Sequence, residues 1–106
     1  MSSYREKSYR KVATVAEIPL GTGIKVTIDD EDIALFNCGG EFFAISDLCP
    51  HRGAPLSEGF LELDKVFCPL HCFDFNLKTG ECGVAPHLTV ATYPTKIEDG
   101  DVFILY

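Results

Sequence analysis

Two short motifs constrain this chain more than anything else in it. Cys49-Pro50-His51 and Cys68-Pro69-Leu70-His71 each offer one thiolate and one imidazole, and sixteen residues, 52 to 67, separate them. If the four side chains serve one site, the chain between them must fold back so that two loops meet. A proline beside each cysteine stiffens its loop. Such a pocket suits a metal: thiolates favour zinc and iron–sulfur clusters, and imidazole suits both iron and zinc. Zinc sites of two Cys and two His usually pair like ligands within a motif. Here each motif mixes the two types, which fits a [2Fe–2S] cluster with both Cys on one iron and both His on the other. Four-coordinate zinc in an interaction module is the alternative.

Outside this region the chain reads as short strands. Ile24, Val26 and Ile28 alternate with polar residues, and a turn is expected over Asp29 to Asp32. The runs Ile33 to Phe36 and Phe42 to Ile45 flank Asn37-Cys38-Gly39-Gly40 and predict a hairpin. Asp99-Gly100, between Lys96-Ile97-Glu98 and Asp101-Val102-Phe103, predicts another. Val15 to Ile18 reads as one helical turn. Between Leu48 and Pro86 only Val66 to Phe67 and Phe73 to Phe75 look strand-like, so a long irregular insert interrupts a β protein. The pattern predicts an all-β fold, a small antiparallel sandwich or barrel.

Composition sets the remaining bounds. At 106 residues the chain is one small domain's worth. Nine Lys and Arg against sixteen Asp and Glu give a net charge of −7, which repels phosphate backbones and argues against nucleic acid. No stretch reaches the roughly 18 apolar residues of a membrane span. Met1 to Lys11 lacks the apolar run of a secretory signal. The five cysteines cannot all pair within one chain, which favours thiol or metal chemistry in a reducing, cytoplasmic setting. Cys38 and Cys82 read as ordinary thiols, and His87 has no partner motif. No nucleophile–base set, P-loop or dinucleotide fingerprint is present, so no catalytic residue is expected.

The two motifs resemble those of the Rieske iron–sulfur family, C-x-H followed some sixteen residues later by C-x-x-H. Arg52-Gly53-Ala54-Pro55-Leu56-Ser57-Glu58-Gly59 after the first and Phe75 with Thr79-Gly80 after the second fit as well. The resemblance runs from the strand near Val12 to the last strand at Val102 to Leu105. It implies a β-sandwich with an inserted cluster-binding subdomain, about 47–86. That subdomain would lie within a single domain at 9–106, behind a loosely held tail at 1–8. It implies one [2Fe–2S] cluster held through iron by Cys49, His51, Cys68 and His71, with His51 and His71 nearest the surface. Gly83-Val84-Ala85-Pro86 resembles the third loop that covers the cluster, with Pro86 and Leu56 as shields. Cys72 stands where the family usually has Gly. It reads either as a tolerated small residue or as a thiol able to contact the cluster.

The resemblance further implies a ferredoxin-like one-electron carrier, supplied by a flavin-dependent reductase and serving a terminal oxygenase. Its alternative is the small subunit of an NAD(P)H-dependent nitrite reductase, with the large subunit as partner. Members of that group often carry a Trp after the second His, and this chain has none. High-potential relatives in respiratory complexes add an inter-loop disulfide and Ser and Tyr hydroxyls near the sulfurs. Here Ala54 and Leu70 stand at the disulfide positions, and Phe73 and Phe75 at the hydroxyl positions. The net charge of −7 also disfavours the reduced form. The midpoint potential should therefore lie near the low end of the Rieske range, roughly −150 mV, and a voltammetric value above about +100 mV would contradict this.

Overall fold

The computed structural model describes residues 7–50, 53–69 and 73–106. Its strands, in chain order, are β1 (Tyr9–Thr14), β2 (Gly23–Ile28), β3 (Glu31–Cys38), β4 (Glu41–Ser46) and β5 (Phe60–Glu62). They continue with β6 (Lys65–Phe67), β7 (Asp74–Asn76), β8 (Thr92–Tyr93), β9 (Thr95–Glu98) and β10 (Asp101–Leu105). They form antiparallel sheets in the orders β1-β10-β9, β2-β3-β4-β8 and β5-β6-β7. Short 3-10 turns occupy Val15–Glu17 and Leu56–Glu58. The fold is all-β, as the alternating short runs predict.

The turns follow backbone chemistry. Gly39 and Gly40 between β3 and β4 have φ of 66° and 94°, and Asp99 and Gly100 between β9 and β10 have 53° and 81°. Positive φ at both central residues is what a tight right-twisted hairpin requires. The β2–β3 turn is tighter than the expected Asp29 to Asp32. Only Asp29 and Asp30 turn, with φ of 49° and 69°, and the ladder resumes with Ile28 opposite Glu31. Aspartate tolerates that conformation better than most residues with a Cβ. In the middle segment the strands are Lys65–Phe67 and Asp74–Asn76, with an additional unforeseen strand at Phe60–Glu62. That strand turns at Leu63, whose φ is 58°. A leucine gives no turn signal, which is why the sequence hides it. At the other end, Ser8 and Tyr106 exchange backbone hydrogen bonds of 3.3 and 3.1 Å. Residues 1–6 of the expected tail lie outside the described residues.

β3 is the centre of the molecule. Its residues Ile33, Ala34, Leu35 and Phe36 are all fully buried. A half-exposed strand alternates, whereas a run buried on both faces does not. Ile33 and Leu35 pack with Ala44, Val102 and Ile104 towards the β1-β10-β9 sheet. Ala34 and Phe36 pack the other way, with Ile45, Leu56, Val66 and Phe75. The four-stranded sheet is thus the middle layer, with the small β5-β6-β7 sheet against its far face. Truncating a ring such as Phe36 or Phe75 should cost about 3–5 kcal/mol.

Glu31, at the start of β3, joins the layers by accepting hydrogen bonds from two tyrosines. Tyr93 Oη donates to Glu31 Oε2 at 2.6 Å, and Tyr106 Oη donates to Glu31 Oε1. Burial first, and the Glu31 carboxylate second, push the Tyr93 hydroxyl well above its ordinary value. A tyrosine held protonated in the fold contributes stability that is complete below about pH 10 and is lost as pH rises beyond it. Melting temperature should therefore fall as pH rises above about 10, and fall less in Tyr93→Phe, as followed by circular dichroism. Equal slopes in both proteins would remove Tyr93 from the alkaline transition.

Candidate metal centre

Both motif cysteines leave the end of a strand and open a loop. Cys49 follows β4 by three residues, and Cys68 follows β6 directly. The N–H of Cys49 donates to the carbonyl of Ala54 at 2.9 Å, and the N–H of Cys68 donates to the carbonyl of Phe73 at 2.8 Å. Each bond closes a six-residue loop, 49–54 and 68–73, that begins with its cysteine. Beyond each loop the chain pairs antiparallel, Leu48 with Pro55 and Phe67 with Asp74. The two motifs thus become two matched loops. In the first, Gly53 N–H also donates to the Cys49 carbonyl at 2.7 Å.

The cysteines are 1% and 3% exposed and share one apolar cluster with Ala54, Leu56, Val66 and Phe75. Buried thiolates need charge partners, because an isolated charge in such a setting is costly. Two buried thiols in one apolar cluster, each at the head of a closed loop, are donors of the type that suits iron or zinc. His51 and His71 lie outside the described residues, as do Arg52, Leu70 and Cys72. Among the described residues, no group of three or more potential ligands gathers.

The other expected residues can be placed. Leu56 is fully buried, in the same cluster as both cysteines. Pro86 is exposed and lines a cleft of about 280 Å³ with Lys65, Asp74 and Gly83. Cys82 is buried in the apolar cluster. Cys38 is partly buried, and its thiol donates to the Leu63 carbonyl. His87 is exposed. Phe75 is fully buried and brings no hydroxyl to the site.

One supporting residue carries no motif signal in the sequence. Asp47, only 4% exposed, accepts the Ser57 N–H at Oδ1 (2.6 Å), and its carbonyl accepts the Leu56 N–H (2.7 Å). It ties the strand that leads into the first loop to the turn that leads out. A buried aspartate two residues before a candidate ligand is the signal that could have found it.

One cysteine loop thus follows the middle sheet after β4 and the other joins β6 to β7 of the small three-stranded sheet, an arrangement that suits a metal-binding class of β protein. The family model described as Rieske [2Fe-2S] domain matches residues 8–94, and the chain belongs to that family. It is 48% identical over 92 residues to the 3-phenylpropionate/cinnamic acid dioxygenase ferredoxin subunit of Shigella flexneri serotype 5b (strain 8401). The match covers 85% of this chain and 86% of that one. Among solved structures, a chain in the complex of reduced oxygenase and oxidized ferredoxin in carbazole 1,9a-dioxygenase matches with a TM-score of 0.83 and 29% identity. The match covers 92% of each chain. The putative NADH-dependent nitrite reductase small subunit from Mycobacterium tuberculosis matches with a TM-score of 0.89 over 96% of this chain and 97% of that one. At 24% identity that likeness speaks for the fold. The protein is a one-electron carrier with a Rieske-type [2Fe–2S] cluster, which sets the zinc alternative aside.

Removing the Asp47 carboxylate leaves the Ser57 N–H without its acceptor. Asp47→Ala should lose about 1–3 kcal/mol of stability in urea unfolding, while Asp47→Asn, whose amide oxygen still accepts, should lose far less. Equal losses would show that the hydrogen bond does not matter.

Proposed function

We propose that Cys49 and Cys68 hold one iron of the cluster and His51 and His71 the other, and that the chain carries electrons from a flavin-dependent reductase to a terminal oxygenase. The observation behind this reading is the pair of matched loops, each headed by a buried cysteine. Each loop contains its histidine, two residues on in the first and three in the second. When bound, the cluster takes up and returns one electron without making or breaking a bond to substrate. Two thiolates and two neutral imidazoles leave the oxidised site uncharged, and imidazole in place of two further thiolates eases reduction. Leu56 shields the site from within the apolar cluster. In this reading Pro86 belongs to the covering loop, and Cys72 is a small residue the second loop tolerates.

The relative at 48% identity is named a dioxygenase ferredoxin subunit, which supports an oxygenase as the acceptor. On this reading the chain turns over no substrate itself. Residues 9–106 act as one domain with the cluster-binding part at about 47–86, and the setting is cytoplasmic. No helix among the described residues is long and apolar enough to cross a membrane. The net charge of −7 suits partners with basic docking faces. A second reading, a fixed small subunit of a nitrite reductase, is supported by the likeness to a solved putative nitrite reductase NADPH (small subunit) at 25% identity and a TM-score of 0.85.

Two measurements test the proposal. Cys49→Ser, His51→Ala, Cys68→Ser and His71→Ala should each abolish the wild-type visible absorption and reduced-state EPR signal, whereas His87→Ala and Cys82→Ala should keep both. A variant of the first group with an unaltered spectrum would strike that residue from the ligand set. The reduced protein, mixed in stopped flow with an oxidised 3-phenylpropionate dioxygenase oxygenase, should be reoxidised at a rate that falls with salt. The Debye length shrinks from about 10 Å at 0.1 M to about 3 Å at 1 M. Electron transfer to a nitrite reductase large subunit, with none to the oxygenase, would decide for the second reading.

A further inference from the structure

Facing outward from the small sheet are Phe60, Glu62, Lys65, Phe67, Asp74 and Asn76, as the β5–β6–β7 register requires. Outward positions should be wet, yet Asp74 is only 8% exposed. What covers it is the chain after Cys82. Gly83 N–H donates to the Asp74 carbonyl at 2.9 Å. A Cβ at Gly83 would stand 2.6 to 2.7 Å from the two Asp74 carboxylate oxygens, so only glycine lets this loop lie so close. Lys65 Nζ, itself half exposed, reaches Asp74 Oδ2 at 3.5 Å. Asp74 therefore touches three pieces at once: the loop at 83, the strand β6, and the base of the second ligand loop. Phe67 and Asp74 are the last rung before that loop, and the neighbouring Phe73 carbonyl closes it on Cys68.

We propose that Asp74 is a positioning residue for the electron carrier. It seats the 83–86 loop against the base of the second ligand loop and, balanced by Lys65, fixes the charge that the cluster meets there. The inference rests on Cys68 and His71 being ligands. A buried carboxylate at the foot of their loop opposes the arrival of an electron, and the lysine offsets it. A pair so placed sets potential by its balance, not by either charge alone. Glycine at 83 is then required by contact with the carboxylate.

The test is the midpoint potential of cluster-loaded variants, by protein-film voltammetry at neutral pH. Asp74→Asn should raise the potential and Lys65→Met should lower it, with the double variant returning close to wild type. A purely structural role would not give opposite signs. Gly83→Ala, which displaces the loop and keeps both charges, should speed loss of the cluster to an iron chelator several-fold. If Asp74→Asn does not fold, Lys65→Met and Lys65→Glu carry the test, both at a half-exposed site, with Lys65→Glu the lower of the two. Potentials unchanged from wild type in charge variants that keep the Rieske spectrum would overturn the proposal and leave the ligand assignment standing. A Cys68→Ser or His71→Ala variant that keeps the wild-type cluster spectrum would overturn the assignment itself.

Discussion

The structure depends on two backbone hydrogen bonds, Cys49 N–H to Ala54 and Cys68 N–H to Phe73. A sulfur can be fixed in space only if its main chain is fixed, and a buried N–H left without an acceptor would cost about 1–3 kcal/mol. Donating across the loop solves both problems. It ties each cysteine to the residue five positions on and lets the flanking residues pair antiparallel, Leu48 with Pro55 and Phe67 with Asp74. The same device is used twice, so both cysteines sit at the head of a loop closed by the same kind of hydrogen bond.

The loops need a base that does not yield. β3 supplies it by being buried on both faces, with Ile33 and Leu35 in one core and Ala34 and Phe36 in the other. The second core contains Cys49 and Cys68 themselves, so packing in the middle layer and placement of the sulfurs are one problem. Asp47 fastens the first loop to this base, and Glu31 holds Tyr93 within the middle sheet and Tyr106 from the end of the outer one. Each is a charged group held in place by hydrogen bonds, which is how a small acidic domain tolerates carboxylates off its surface.

Side-chain signals were legible in the sequence, and backbone signals were not. The Cys and His pairs, the alternation of Ile24, Val26 and Ile28, and the Asp99-Gly100 turn all announce themselves by residue type. Ala54 and Phe73 act through their carbonyls, which every residue possesses, so nothing marks them. The strand Phe60–Glu62 is hidden because Phe60 faces outward and Leu63 takes a turn position usually given to glycine or asparagine. Four consecutive acidic residues look like loop, so the sequence predicts a longer turn than Asp29–Asp30, although Glu31 and Asp32 already belong to β3. Asp74 and Lys65 meet only when the three-stranded sheet forms.

The central claim is that one Cys and one His from each matched loop bind a single cluster. Pulsed EPR on the reduced, cluster-loaded protein, grown with ¹⁵N-histidine, tests it most directly. Two histidine nitrogens should couple to the reduced cluster, and both couplings should persist in His87→Ala. A spectrum with no histidine nitrogen, or with one that disappears when His87 is replaced, would contradict it.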